Sequence, residues 1–159
     1  MSSASLIQLA NLTAHIRNCI NITLSKTALN YNKTNLQALL SLYQQGFISN
    51  IQNGSNTGPD IINTPVTPLN ISSRKLWIDL KYRNNSSVIR KISLISTPNR
   101  KYDLTSSEIK NLASGNKQVR RIEPLQPSEC IFIENGGEFY EIQDAAKKGL
   151  DGRALFRVK

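Results

Sequence analysis

The sequence predicts an α+β fold of two small lobes: an N-terminal α/β lobe with two helices on a short sheet, and a C-terminal, mainly β lobe with short helices. Apolar residues recur at helical spacing in two early segments and alternate with polar residues in a later one. Toward the end they fall in short runs separated by turns that contain Gly and Asn. We place the lobes at residues 1–95 and 96–159, with surface insertions at 52–73 and 114–127.

Two helices are predicted in the first lobe. The first covers residues 4–20, where the apolar face consists of Leu6, Leu9, Leu12, Thr13, Ile16 and Ile20, and the opposite face of Asn11, Arg17 and Asn18. The second begins at Asn32, a good N-cap, and ends at Gly46, which supplies a left-handed stop. Phe47 can then fold back against its last turn. We expect this helix to bury Leu36, Leu39, Leu40 and Tyr43.

The strands of the first lobe surround a long surface segment. Ile48 and Ile51 start one strand, and residues 52–73, rich in Pro, Gly and Asn, leave the sheet. Residues 76–82 alternate apolar and polar, which predicts a half-buried strand. A turn at 84–87 and a strand at 88–95 would complete a hairpin.

The second lobe is predicted from short local signals. Thr105 and Glu108 form a capping box for a helix that ends near Gly115. Strands are predicted at 131–133 and 139–142 around a tight turn at 135–137. A short helix at 144–148 stops at Gly149, and a closing strand covers 153–158.

The charge balance favours a polyanionic partner. The chain has 20 Lys and Arg against 11 Asp and Glu, and no acidic residue occurs before Asp60. Such an excess is typical of proteins that bind nucleic acid or an anionic membrane surface. No segment approaches the ~20 apolar residues needed to span a bilayer, so we expect a soluble protein with no membrane partner.

No pattern of residues identifies a catalytic centre. His15 is the single histidine, and Cys19 and Cys130 are isolated, so a buried, reduced thiol is expected for each. No pair of Cys, His or carboxylate residues has metal-ligand spacing. Gly136–Gly137 is followed by Glu138, which would repel a phosphate. We therefore expect no enzyme activity, no cofactor, no metal and no small-molecule substrate.

Two tyrosines beside cations are candidates for stacking on RNA bases. Tyr82 precedes Arg83, but it lies on the apolar face of its strand and is predicted to belong to the core. Tyr102 follows Arg100 and Lys101 in an irregular segment, so it is predicted to be the more exposed.

Several motifs together resemble one known family. Leu-Ala-Asn-Leu-Thr-Ala-His-Ile-Arg-Asn at 9–18 and Gln-Gly-Phe-Ile at 45–48 are followed by Leu-Lys-Tyr at 80–82 and Val-Ile at 88–89. Ser-Thr-Pro-Asn-Arg-Lys-Tyr at 96–102 and Ala-Lys-Lys-Gly-Leu-Asp-Gly at 146–152 complete the series. In this order they resemble small-subunit ribosomal protein eight, the universal family of bacteria and organelles. Segments 52–77 and 122–127 are similar to its fungal mitochondrial form.

This resemblance implies a two-lobed protein that binds a helix in the central domain of small-subunit rRNA early in assembly. By position, it implies RNA contacts in the first lobe from Thr13, Arg17, Asn18 and Lys33. In the second lobe it implies contacts from Pro98, Asn99, Arg100, Tyr102, Asn135, Gly136, Gly137, Lys148, Gly149 and Gly152.

Two positions depart from the family pattern. Bacterial members carry Ser-Thr-Ser-Lys-Gly at the turn where this chain has Asn-Gly-Gly-Glu-Phe at 135–139. The hydroxyls are replaced and a carboxylate is added, although two glycines still allow the backbone amides to approach RNA. The family's Gly after Pro is Asn99 here, a residue that tolerates left-handed geometry.

The sequence therefore predicts a structural constituent of the mitochondrial small ribosomal subunit, located in the matrix. Its expected partners are small-subunit rRNA and neighbouring small-subunit ribosomal proteins. An RNA-binding translational regulator or RNA chaperone acting away from the ribosome would share the same charge pattern. An RNA-processing nuclease would need a metal or histidine site, which the sequence does not reveal.

Overall fold

A computed structural model describes residues 1–62 and 64–159. In these residues the chain forms helices and antiparallel sheets, which confirms the α+β class. The helices are α1 (Ser3–Asn21), α2 (Lys33–Gln44), α3 (Ser106–Ala113) and α4 (Ile142–Lys148). The strands are β1 (Lys26–Asn30), β2 (Ile48–Gly54), β3 (Lys75–Leu80), β4 (Tyr82–Arg83), β5 (Ser86–Ser87), β6 (Ile92–Leu94), β7 (Asp103–Leu104), β8 (Cys130–Asn135), β9 (Glu138–Glu141) and β10 (Gly152–Val158). Among the described residues, no helix combines the length and apolar character that a membrane crossing requires.

The chain divides into two compact units. One contains residues 14–89, and the other contains residues 1–13 together with 90–159; they are called the 14–89 unit and the 90–159 unit below. The last part of α1 belongs to the first of these units and its beginning to the second. The lobe boundary predicted between residues 95 and 96 stays a prediction.

The 14–89 unit is built on a three-stranded antiparallel sheet in the order β1-β3-β2. In β3 the predicted alternation is confirmed, because Leu76, Ile78 and Leu80 are buried and the residues between them are half-buried. β1 pairs with β3 along its full length. The sequence does not predict β1, since only Leu29 is a large apolar residue in this five-residue strand.

α2 has the predicted ends but a different buried face. The Asn32 side chain accepts a hydrogen bond from the Asn35 amide at 2.7 Å, and Gly46 has φ +79°. Leu39 is buried as predicted, but Leu40 and Tyr43 are 42% and 50% exposed. The buried row includes Ala38 and Leu42 instead. Leu36 is half-buried.

The predicted hairpin between residues 76–82 and 88–95 is wrong. Asn84 and Asn85 do form a tight turn, with φ angles of 50° and 59° that suit a two-residue hairpin loop. This turn joins only β4 and β5. β6 pairs with β10 instead of β3, because both edges of β3 are already bonded to β1 and β2.

The 90–159 unit is built on an antiparallel sheet in the order β6-β10-β8-β9. β10 pairs with β8 along most of its length, and with β7 and β6 near its two ends. Phe132 and Phe156 stack at its centre with ring centroids 4.8 Å apart. α3 and α4 bury apolar residues in the same core as β8, namely Ile109, Leu112, Ile142 and Ala145.

The capping box, the tight turn and the helix stop predicted for this unit are confirmed, although α4 begins at Ile142, two residues before its predicted start. Thr105 and Glu108 form the reciprocal capping box at the start of α3. β8 and β9 are joined by a two-residue turn at Gly136 and Gly137, whose φ angles are 60° and 87°. Gly149, with φ +66°, ends α4 in the left-handed conformation.

Arg157 of β10 contacts the predicted insertion at 114–127 and the residues that follow it. The Arg157 guanidinium donates to the Glu129 carboxylate at 2.8 Å and to the Glu123 carbonyl at 3.3 Å. Arg157 and Glu129 are 16% and 8% exposed. The ion pair is therefore largely shielded from water, so the Glu129 carboxylate depends on the Arg157 guanidinium for its stabilisation.

We expect Arg157→Met to lower the free energy of unfolding by about 1.5 kcal/mol, because the Glu129 carboxylate loses a charge-assisted hydrogen bond while remaining buried. Urea unfolding followed by circular dichroism would measure the change. The double variant Arg157→Met/Glu129→Leu is the control, since removing both charges should restore most of the loss. A single variant as stable as wild type would contradict the assignment.

Candidate nucleic-acid interface

Acidic residues are scarce in the 14–89 unit. This unit has seven Lys and Arg against two acidic residues, Asp60 and Asp79. Both acids are paired internally, Asp60 with Arg74 and Asp79 with Lys26. Hydrogen bonding from the Arg74 guanidinium lowers the pKa of Asp60, which keeps this carboxylate ionised. The unit therefore presents cations to solvent with little opposing charge, as a polyanion-binding surface requires.

Three of the predicted RNA-binding residues lie on the exposed surface of this unit. Arg17 and Asn18 stand on the side of α1 opposite its buried Ile16 and Cys19. Lys33 is exposed in the first turn of α2. The helical period of α1 fixes the outward direction of Arg17 and Asn18, because the apolar residues on either side of them must face the core.

Thr13 does not share this exposure. It is 4% exposed, and its hydroxyl donates to the Ala10 carbonyl at 2.9 Å. The side chain thus satisfies its hydrogen bond within α1. A direct contact of Thr13 with RNA stays a prediction of the resemblance.

The segment 97–100 of the 90–159 unit is a closed turn. The Thr97 amide donates to the Arg100 carbonyl at 2.8 Å, and the Arg100 amide donates back to the Thr97 carbonyl at 3.1 Å. Asn99 and Arg100 are exposed at this turn, and Pro98 is half-buried. The backbone of Asn99 is not in the left-handed conformation that asparagine would tolerate at this position.

The base of this turn is anchored to the sheet. Ser96 is fully buried, and its hydroxyl accepts from the Tyr102 amide at 3.0 Å. The amides of Ile95 and Ser96 both donate to the Leu155 carbonyl. Because the anchoring groups are buried, the turn holds the Arg100 backbone in a defined position.

The expected difference between the two tyrosines is wrong. Tyr102 is half-buried and packs against the core that includes Leu104 and Ile133, with Ala154 donating to its carbonyl. Tyr82 is also half-buried, and its hydroxyl donates to the Leu24 carbonyl at 2.7 Å. Irregular sequence around Tyr102 does not imply exposure, since a loop beside a sheet can still pack its aromatic residue inward.

At the 135–138 turn, glycine provides an open backbone. A Cβ added to Gly136 or Gly137 would meet nothing within 4 Å. The Glu138 carboxylate accepts a hydrogen bond from the Tyr140 hydroxyl at 2.6 Å, and this contact raises the pKa of Tyr140. The carboxylate that departs from the family pattern is therefore engaged within its own strand. The Asn135 amide side chain donates to the Asp151 carbonyl.

Three predicted residues, Asn135, Gly136 and Gly152, line one open groove of about 320 Å³. The same groove is lined by Asp103, Glu134, Asp151 and Arg153. Three carboxylates against one guanidinium disfavour a phosphate here. The groove is better suited to a hydroxyl or amino group of RNA, because these groups can donate hydrogen bonds to the carboxylates.

Lys148 and Gly149 lie at the end of α4. Lys148 is exposed, and its ammonium group stands 4.9 Å from the centre of the Tyr140 ring, a cation–π contact. Glycine is favoured at position 149 because the backbone there is left-handed. Gly152 is required for packing, because a Cβ there would lie 2.6 Å from the Glu134 carbonyl oxygen.

One side of the sheet in the 14–89 unit brings together polar and charged residues that are not predicted as a site from the sequence. Strand register places Lys26 beside Asp79, Ala28 beside Trp77, and Asn30 beside Lys75, all on the side of the sheet opposite buried Leu76 and Ile78. The Trp77 indole is half-buried and donates to the Ser55 carbonyl at 2.9 Å. The alternation at 76–82 predicts which residues of β3 lie on this side of the sheet. It does not predict Lys26, which lies there because β1, a strand not predicted from the sequence, pairs with β3.

The two cysteines and the histidine are at least partly buried, and the histidine lies within hydrogen-bond distance of a neighbouring side chain. Both cysteines are free; Cys19 is buried as expected, whereas Cys130 is half-buried, and burial raises its pKa to about 11. The imidazole of His15 is 2.6 Å from the Thr27 hydroxyl, and burial lowers its pKa. Among the described residues there is no group of three or more side chains able to hold a metal ion.

Comparisons with known proteins identify the family of the chain. A sequence model of the family described as Ribosomal protein S8 matches residues 8–119. The chain is 35% identical over 153 residues to the small ribosomal subunit protein uS8m of Schizosaccharomyces pombe, covering 96% of this chain and 100% of that protein. It is 31% identical over 158 residues to the small ribosomal subunit protein uS8m of Neurospora crassa, covering 96% and 98%. The resemblance of the motifs is thereby confirmed. The chain belongs to the ribosomal protein S8 family.

Proposed function

We propose that the protein is a structural constituent of the mitochondrial small ribosomal subunit, where it binds the central domain of small-subunit rRNA and supports subunit assembly and mitochondrial translation. The observation that carries this proposal is similarity over almost the entire chain to two fungal proteins named small ribosomal subunit protein uS8m. Because the family is one of ribosomal structural proteins, the chain is not an enzyme.

The charge distribution supports rRNA as the main partner. Arg17 and Lys33 in the 14–89 unit, and Arg100 in the 90–159 unit, are exposed cations on ordered elements. Each phosphate they neutralise releases counterions, which makes binding favourable and dependent on salt. Contacts with 2′-hydroxyls across a shallow minor groove would supply the shape recognition that is typical of proteins bound to RNA helices.

Most of the predicted contact residues fall into three groups under this proposal. The exposed residues Arg17, Asn18, Lys33, Asn99 and Arg100 are suited to direct contacts. Thr13, Tyr102, Gly149 and Gly152 are suited to shaping the surface, since each has a packing or backbone role within its own unit. Gly136 offers exposed backbone at a turn whose second glycine, Gly137, is half-buried, and Lys148 offers an exposed ammonium group.

Sedimentation of mitochondrial ribosomes tests the proposal. Tagged protein expressed in mitochondria should migrate with the small subunit in a sucrose gradient at one copy per subunit, and should remain there after a moderate salt wash. A small-subunit protein of known position is the control within the same gradient. Recovery only in the light fractions would instead favour a regulator that acts away from the ribosome.

A further inference from the structure

The 52–73 segment carries several fully exposed apolar side chains. Ile61, Ile62 and Leu69 are 103%, 83% and 95% exposed, and Ile71 is 43% exposed. Soluble proteins rarely concentrate large, exposed apolar side chains on one surface segment unless that segment binds a partner. The exposed group is called the apolar tip below, and consists of Ile61, Ile62 and Leu69.

The base of the segment is folded, so the exposure of the apolar tip is part of a defined structure. Arg74 is 8% exposed, and its guanidinium donates to the Asp60 carboxylate and, at 3.2 Å, to the Thr64 carbonyl. The Asn70 side chain accepts from the Thr67 amide at 2.8 Å and donates to the Pro65 carbonyl at 3.2 Å. The Arg74 bonds tie Asp60 and Thr64 to the residue that precedes β3, and the Asn70 bonds hold residues 65–70 together. Such preorganisation lowers the entropy lost when the tip binds a partner.

The charges of the segment disfavour RNA as its partner. Its 22 residues contain no Lys or Arg, although the whole chain has 20. Its single acidic residue, Asp60, is paired with Arg74 and is therefore not available to a basic partner. A surface without cations cannot neutralise phosphates, which supply most of the affinity for RNA. The same lack of cations removes the attraction to anionic lipid headgroups.

A second copy of the chain is also a poor partner. Each copy carries a net charge of +9, and repulsion between like-charged molecules opposes self-association. An apolar surface of a different protein satisfies the chemistry of the tip, because three large aliphatic side chains gain most when they enter a desolvated groove.

We propose that the apolar tip of the 52–73 segment docks into an apolar groove of another protein of the small ribosomal subunit. This proposal rests on the proposed ribosomal function, and it assigns the segment to protein–protein contact. The cationic surfaces then bind rRNA, and the uncharged tip binds a neighbouring protein.

The first test is the triple variant Ile61→Ser/Ile62→Ser/Leu69→Ser, expressed as the full chain in mitochondria. We expect its salt-resistant retention on the small subunit to fall about tenfold, the size of effect expected for an interface hot spot. The purified variant should bind small-subunit rRNA with wild-type affinity. Ile22→Ser is the matched control, since Ile22 is 69% exposed in the same unit but lies outside the segment. Wild-type retention of the triple variant would overturn the proposal.

A photoreactive amino acid at position 62 identifies the partner directly. In purified small subunits we expect one adduct, to a single stoichiometric small-subunit protein. An adduct to rRNA, to lipid or to a second copy would overturn the proposal, as would the absence of any adduct in subunits that contain the probe. Failure of the wild-type chain to enter subunits would instead overturn the proposed function, so the two failures are distinguishable.

Discussion

Replacing Arg17 and Lys33 together by alanine is expected to weaken binding of the protein to small-subunit rRNA about 30-fold at about 0.15 M salt. The slope of log affinity against log salt should become shallower by about 1.8, the effect of two lost phosphate contacts with duplex RNA. Each single variant should account for about half of the change in slope. Both residues are exposed on helices whose buried faces they do not contribute to, so the free energy of unfolding should change by no more than about 0.5 kcal/mol. Filter-binding titrations from about 0.05 to 0.3 M salt would measure the effect.

Lys110→Ala is the control for this experiment. Lys110 is an exposed residue of α3 outside the predicted contacts, and its loss changes the net charge by the same amount as either single substitution. If Lys110→Ala flattens the salt dependence as much as Arg17→Ala does, the effect comes from overall charge rather than from a defined contact. Wild-type affinity and slope in the double variant would remove α1 and α2 from the interface.

Elements with strong local chemistry could be predicted from the sequence. Asn32 and the pair Thr105 and Glu108 begin helices because their side chains satisfy amides that the helix leaves unpaired. Gly149 ends a helix because glycine adopts the left-handed backbone at little cost. In each case the determining partner lies within about four residues, so neighbouring sequence contains the necessary information.

Strand pairing depends on residues far apart in the chain, and here the sequence is a weaker guide. The segment 88–95 follows a turn, which favours pairing with the preceding strand. In the structure β6 pairs with β10, more than 60 residues later. Only the positions of β1 and β2 exclude the predicted hairpin, and β1 has too few apolar residues to be recognised.

The buried face of α2 illustrates a second limit. Apolar residues occupy both of its possible rows, so helical period alone permits the row of Leu36, Leu40 and Tyr43 as well as the row of Leu39 and Leu42. The position of the sheet decides between them. Leu40 and Tyr43 remain exposed even though they are among the larger apolar residues of the helix.

For the candidate site, helical period predicts which side chains of α1 point outward, whereas the resemblance does not. The outward direction of Arg17 and Asn18 follows from the period of α1, and that period also indicates that Thr13 is buried. The resemblance gives the positions of RNA-contacting residues in the sequence but not the directions of their side chains. It therefore includes buried Thr13 among the RNA contacts together with exposed Arg17. It likewise groups Gly152 with the RNA contacts, although its backbone lies against Glu134.

Substituting Gly152 by alanine is expected to lower the free energy of unfolding by about 3 kcal/mol, the upper part of the range for overpacked sites. The added Cβ would lie 2.6 Å from the Glu134 carbonyl oxygen and 3.2 Å from its carbonyl carbon. Both of these are backbone atoms of a strand in the centre of the sheet, so they cannot move aside without disturbing the pairing of β8 with β10. Thermal unfolding should show a midpoint lower by about 6 to 12 °C for a chain of this size.

Gly58→Ala provides the control, since a Cβ at Gly58 meets nothing within 4 Å and its backbone is not left-handed. Its unfolding midpoint should match that of wild type. The comparison also separates the two roles assigned to Gly152. A packing role requires that stability falls in Gly152→Ala and that RNA affinity, measured below the unfolding transition, changes little. If affinity falls while the midpoint is unchanged, the close approach that excludes a side chain is made by RNA rather than by Glu134, and the position belongs to the interface.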